Sequence, residues 1–211
     1  MRPLAKVAIG LLLAALDFRV SGLDVILDPA GWLLVASGLG DLALRPAQVT
    51  ALLTAALSLG DVLWPTTTVT TSSDTWTTPD GGTHSIVNQT TGFGTPSGPQ
   101  LGLIALYGLA VVATIWVALT GIEDRAGSYD DARSANRLRV LRLVQVGTAA
   151  AIFAITYAVL ASGDKSAADG AGPLVVLVLG GLIAHLLTIG ALYRRAGHPW
   201  AQRWHRPPAI A

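Results

Sequence analysis

Leu101–Thr120 reads LGLIALYGLAVVATIWVALT, a run without a single charged residue. As a helix rising about 1.5 Å per residue, it extends roughly 30 Å, the thickness of a bilayer's hydrocarbon. The stretch therefore predicts a transmembrane helix, and the composition around it agrees. The 211 residues are 52% hydrophobic and only 13% charged, with a formal net charge of +1 and a mean hydropathy of +0.55. Ordinary soluble domains carry about twice that share of charge. Cysteine is absent, which excludes disulfides, zinc–thiolate sites and thiol nucleophiles.

Working outward toward the C-terminus, Gly121 to Arg139 mixes both signs of charge and reads as a loop. Ser128 with Asp131 three residues on is a capping-box pattern, and Asp130 sits one turn from Arg133. A fifth helix is thus predicted to begin near Tyr129, to enter the membrane near Val140 and to leave near Leu160. Asp164, Lys165 and Asp169 mark a short loop, and Gly172-Pro173 opens a sixth helix ending at Tyr193. In the tail, Trp200 and Trp204 beside Arg203 and Arg206 suit a segment lying against anionic headgroups.

Toward the N-terminus, Pro65 to Pro99 is rich in Thr, Ser and Gly, lacks Lys and Arg, and cannot cross a membrane. Pro79-Asp80-Gly81-Gly82 is a turn signal between TSSDTWTT and THSIVNQT, predicting a small solvent-exposed β-hairpin, with a flexible polar loop as the alternative. Three helices precede it: Leu4–Val20, Pro29–Leu44 and Ala47–Trp64. Asp28-Pro29 supplies an N-cap and a proline at the first helical position, and Leu23–Leu27 is a short apolar piece for the interface. Met1–Val20 has the outline of a signal peptide, but Asp17-Phe18-Arg19 is a poor cleavage site, so a retained helix is expected.

The fold class expected is all-α, with six transmembrane helices. Residues 1–64 hold three of them, 65–99 form the extracytoplasmic loop, 100–195 hold the other three, and 196–211 form an interfacial tail. With the N-terminus cytoplasmic, only Arg19 and Lys165 of the 14 Lys and Arg fall outside, a positive-inside pattern that puts both termini in the cytoplasm.

That topology gathers Asp17, Asp24, Asp28 and Asp61 with Arg19 at the outer face, an acidic vestibule for a cation, a basic ligand or a proton. The simpler reading is that Asp28 only caps a helix, Arg19 pairs with Asp17 or Asp61, and Asp24 is hydrated. His185, in mid-membrane on helix six, is either a proton relay or a neutral group hydrogen-bonded to Gln145, Thr148 or Thr156. The series Gly180, Ala184, Thr188 and the pair Gly147, Ala151 predict close packing of helices five and six. Gly38-Leu39-Gly40-Asp41 matches the G-x-G-D element of intramembrane aspartyl proteases, but the helical hairpin sets Asp61, its candidate partner, at the opposite end. No motif assigns a catalytic residue or a cofactor. The metal-ligand set is unknown, and the arginine-rich stretch from Arg125 to Arg142 reads as topogenic charge rather than a nucleic-acid surface.

Asp24-Val-Ile-Leu-Asp28-Pro-Ala-Gly31-Trp32-Leu-Leu-Val resembles the D-I-L-P-D-x-x-G-Y pattern of small uncharacterised multi-pass membrane proteins of Gram-positive bacteria, with Asp-Pro here in place of Pro-Asp. The resemblance implies a bacterial cytoplasmic membrane and no known activity. The functional expectation is a non-enzymatic accessory or sensing protein, its partners being the lipid bilayer and a membrane or extracytoplasmic protein. The alternatives are a small-solute, cation or proton-coupled transporter using the outer carboxylates, and third the aspartyl protease.

Overall fold

The computed structural model describes residues 1–15, 19–20, 23–24, 27–63, 67–77, 80, 83–93, 97–129, 131–162 and 172–202. They form six helices: α1 (Pro3–Ala15), α2 (Leu27–Asp41), α3 (Arg45–Leu63), α4 (Gly98–Ser128), α5 (Ala132–Ser162) and α6 (Gly172–Arg195). Each packs on its neighbour in sequence, and α6 returns to α1, so the helices close into a ring. Three of them, α4, α5 and α6, are long and apolar enough to cross a membrane.

Two antiparallel ladders accompany the ring. Strands β1 (Arg19–Val20) and β2 (Leu23–Asp24) pair with Arg19 opposite Asp24. Strands β3 (Thr67–Thr77) and β4 (Thr83–Phe93) pair from Thr67↔Phe93 to Thr77↔Thr83. The Thr and Val content of this polar stretch suits a pleated backbone.

Several element boundaries differ from the sequence expectation. The first helix is 13 residues rather than continuing to Val20, because Arg19 and Val20 join a ladder. Leu23–Asp24 is its partner strand, not an interfacial apolar piece. Helix α4 runs through Gly121–Ser128, expected as loop. Ile122 and Ala126, one turn apart, are both fully buried there, and Glu123 between them is ion-paired across to α5. Apolar spacing carries the helix onward where the charges suggest an end. The cap of α5 is Asp131 rather than Ser128: the Ser134 N–H donates to Asp131 Oδ1 at 3.0 Å, while the Ser128 hydroxyl turns back to the Arg125 carbonyl of α4.

The α2–α3 turn is a Schellman motif. Leu44 N–H reaches the Leu39 carbonyl and Ala43 N–H the Gly40 carbonyl, with Ala43 in the left-handed position usually held by glycine, φ 59°. Left-handed backbone costs an alanine about 1–2 kcal/mol, and the entropy of a glycine offsets only part of that. Ala43→Gly is therefore expected to raise stability by about 0.5–1 kcal/mol, measured as a higher midpoint of thermal unfolding in detergent.

The packed core lies at one end of the ring. Leu4 and Val7 of α1, Leu39 of α2, Ile122 of α4, Leu138 of α5 and Leu192 of α6 are almost wholly enclosed there, with Trp200 beneath them in a 3-10 turn, Pro199–Ala201. In the same half of the ring, α3 is tied to α4 by Thr54 and Thr114, whose buried hydroxyls lie 2.8 Å apart. Thr54 gives its proton to the Thr50 carbonyl, so Thr114 is the donor of the pair. The outer surface inverts the soluble pattern: Val176 is 70% exposed, Ile183 58% and Leu187 59% on α6, with Val49, Leu52, Leu53 and Leu59 forming an exposed apolar stripe on α3.

The C-terminal turn corrects the tail expectation. Trp200 is 2% exposed rather than lying on headgroups, and Trp204 with its flanking arginines falls outside the described residues. The Trp200 indole N–H donates to Asp131 Oδ2 at 3.1 Å. Arg125 clamps the segment from above, donating to the carbonyls of Trp200, Leu42 and Gln202. The Asp131 carboxyl is held below its ordinary 3.8, first by the Ser134 hydroxyl and then by the Ser134 backbone N–H, with Trp200 and His198 adding to it. A depressed carboxyl stabilises the fold fully above its unfolded value and loses that contribution as pH falls through the folded one. Between about pH 6 and about pH 3.5 the unfolding midpoint is expected to fall further in the wild type than in Asp131→Asn.

Candidate ligand-binding site

At the end of the ring opposite the packed core, the helices line an open cavity of about 540 Å3, within the roughly 300–1,000 Å3 range of small-molecule sites. Leu11 and Ala14 of α1, Trp32 of α2, Val111 and Ile115 of α4, and Ile152 and Phe153 of α5 make its walls apolar. Gly108 lets α4 receive the Phe153 ring, because a Cβ there would overlap it. Beyond the cavity, toward the core, the remaining free space shrinks to about 10 Å3 between Val35, Ile122 and Leu192, the lower limit for one water. Among the described residues the cavity thus has a floor.

The floor is polar. His185 of α6 lies 3.0 Å from the Leu11 carbonyl through Nε2 and 2.7 Å from Gln145 Nε2 through Nδ1. A carbonyl only accepts, so Nε2 carries the ring proton and Nδ1 receives the amide N–H of Gln145. This ties three helices together: α1, α5 and α6. It also leaves Gln145 Oε1 buried without a hydrogen-bond partner among the described residues, on a residue 3% exposed. Thr148, the third residue expected at this site, lines the cavity but gives its hydroxyl proton to its own helix, to the carbonyls of Val144 and Gln145.

The carboxylates expected at the outer face lie on separate elements where they are described. Asp28 sits in the first turn of α2 and accepts the Tyr107 hydroxyl of α4 at 3.2 Å. That hydroxyl in turn accepts the Trp32 indole N–H at 3.4 Å. Asp28 therefore anchors an inter-helix link on the cavity wall, which the capping pattern alone gave no means to see. Arg19 and Asp24 are directly opposed residues of the β1–β2 ladder. Asp61 lies near the C-terminal end of α3, and Asp17 falls outside the described residues. No group of three or more metal-ligating side chains assembles among the described residues. Asp41, of the G-x-G-D element, accepts the Lys6 ammonium at 2.7 Å. It ends α2, whereas Asp61 lies sixteen residues into the antiparallel α3, roughly 24 Å along the axis.

In the small-residue series on α5 and α6, a Cβ on Gly147 or Gly180 would meet open space, whereas Ala184 and Thr188 are buried. Close backbone approach is found between α1 and α2. A Cβ on Gly10 would lie 2.6 Å from the Gly31 carbonyl, and one on Gly38 2.7 Å from the Pro3 carbonyl.

The chain matches no protein-family model, no curated protein and no solved structure.

Proposed function

We propose that this is a six-span protein of a bacterial cytoplasmic membrane, both termini inside, that holds a small amphipathic molecule in the cavity above Gln145 and His185. It acts there as an accessory or sensing component without enzymatic activity. Helices α1 and α2, 13 and 15 residues long, reach only about 20 Å each. They share a ring with three longer apolar helices, and the outward faces of α3 and α6 are apolar, which supports reading the whole ring at bilayer depth, with the bilayer locally thinned around α1 and α2. The bacterial location follows from the resemblance of Asp24–Trp32.

The observation that carries the binding reading is the apolar cavity of about 540 Å3 whose polar lining includes Gln145, Thr148 and His185. A ligand with an apolar body covers these walls, and a hydroxyl, amide or ammonium on it meets the polar lining. Sensing is preferred to transport because the floor is closed and His185 already has a partner for both ring nitrogens. Transport requires a second conformation that opens the packed end.

In nanodiscs, 1-dodecanol is expected to raise the unfolding midpoint of the wild type while dodecane, lacking the donor, does not. Ala149→Phe, which narrows the cavity, reduces the shift, and Gln145→Leu removes the preference for the alcohol. Equal shifts in wild type and Ala149→Phe would show that the alcohol acts through the bilayer and would sink the proposal.

A further inference from the structure

A second hollow, about 470 Å3, runs along the outside of the ring between the N-terminal part of α5 and the C-terminal part of α6. Its polarity is graded. At the end by the helix termini stand Arg137, Arg194 and Arg195, and deeper along the same groove lie Val140, Leu186 and Leu187. Arg195 donates to the Ser134 hydroxyl and the Ala191 carbonyl, and Arg137 and Arg194 line the groove beside it. Among the described residues neither Arg137 nor Arg194 makes an ion pair with a carboxylate. Three guanidinium groups thus crowd one end of a groove whose other end is exposed hydrocarbon, Leu186 at 50% and Leu187 at 59%.

We infer that this groove is a binding site for an anionic phospholipid of the cytoplasmic leaflet. The phosphate sits among the three arginines, where guanidinium forks meet phosphate oxygens, and an acyl chain lies along Val140, Leu186 and Leu187. A headgroup there relieves the like-charge crowding, and the chain covers apolar surface at the depth where it belongs. The inference rests on the membrane reading above but not on the cavity or its ligand.

The test uses the full chain in detergent, with native mass spectrometry counting retained lipid after exchange into equimolar phosphatidylglycerol and phosphatidylcholine. Phosphatidylglycerol is expected to be preferred, and Arg137→Gln with Arg194→Gln to lower its retention by about 30-fold, from about fivefold per arginine at a headgroup. Arg133→Gln, an exposed arginine of α5 outside the groove, leaves the preference intact. Arg194→Gln alone gives the smaller effect should the double variant fold poorly. Equal retention of the two lipids by the wild type, or a preference unmoved by the arginine variants, overturns the site. Displacement of phosphatidylglycerol by millimolar inorganic phosphate overturns the lipid as its occupant. Ala132→Cys, on an exposed residue at the start of α5, separates the orientation from the site. Labelling only from outside refutes the inner leaflet and leaves the lipid preference to stand or fall separately.

Discussion

Glu123→Ala is expected to destabilise the protein by about 3–5 kcal/mol, the effect of removing one partner of a buried ion pair. Glu123 is the single glutamate of the chain, and it is 5% exposed in α4. Arg139 Nε donates to its Oε1 at 2.8 Å, and Arg142 Nη1 stands 2.9 Å from its Oε2. The two contacts are unequal. The Arg139 side chain is 63% exposed, so its share is screened and small, whereas that of Arg142 is only 12% exposed. Arg142 aims its N–H at the Thr120 hydroxyl, 2.6 Å away, so its attraction to Glu123 is Coulombic rather than a hydrogen bond. Its guanidinium carbon also lies 4.6 Å from the centre of the Trp116 ring, a cation–π contact. With Glu123 truncated, Arg142 keeps Thr120 and Trp116 but has lost its buried counter-charge. Denaturation in detergent reads the loss directly. Glu123→Met with Arg142→Met is expected to regain most of it, because no unpaired charge then remains buried. A single variant as stable as the wild type would mean that water already solvates Arg142.

The arginines from Arg125 to Arg142 show where sequence reading stops. Their density and position give only an expected orientation, since topogenic charge is a property of composition near helix ends. That Arg125 holds three carbonyls and Arg142 a glutamate depends on which helix faces which, and charge order within one segment does not encode that. The same limit applies to Trp200. Beside arginines at a helix end it has the composition of an interfacial anchor, yet Asp131, sixty-nine residues earlier, supplies an acceptor that lets it be buried. Apolar runs gave the helices at approximately their places, because hydrophobic length is a local quantity. Helix ends were less legible: α1 gives way to a ladder whose partner strand had looked like more hydrocarbon.

The candidate site was legible in its parts and not in its arrangement. His185 and Gln145 could be listed together because each is a polar residue in an apolar helix, which in a bilayer demands a partner. The third member of their contact, the Leu11 carbonyl, carries no side-chain signal at all. The cavity has no signature in sequence either, being the space left where α1 and α2 stand apart from α4 and α5. The two ends of the ring thus differ in kind. One is sealed by Leu, Ile and Trp200 with a pinned C-terminal turn, and the other is hollow above a hydrogen-bonded floor.

Gly10→Ala is expected to cost about 3 kcal/mol or more, a severe effect for one added methyl group, because the space it needs is held by backbone. The new Cβ would lie 2.6 Å from the Gly31 carbonyl and 2.8 Å from the Val35 nitrogen, and neither can rotate away as a side-chain tip does. Helices α1 and α2 would have to separate, opening the packing of Leu4, Val7, Val35 and Leu39 together. Gly147→Ala is the matched comparison: its Cβ meets nothing within 4 Å, and alanine is the better helix former by about 0.5–1 kcal/mol, so that variant is expected to be as stable as the wild type or slightly more so. Small residues at four-residue spacing on α5 and α6 would have ranked the two glycines the other way. The effect also extends to the ligand site. The residue after Gly10 supplies the carbonyl that orients His185, and Ala14 forms cavity wall. Any Gly10→Ala protein that still folds is therefore expected to lose its dodecanol-dependent shift, while Gly147→Ala retains it. Thermal unfolding of both variants with and without the alcohol reads the two effects in one experiment. Equal stability of the two would show that α1 and α2 do not meet backbone to backbone.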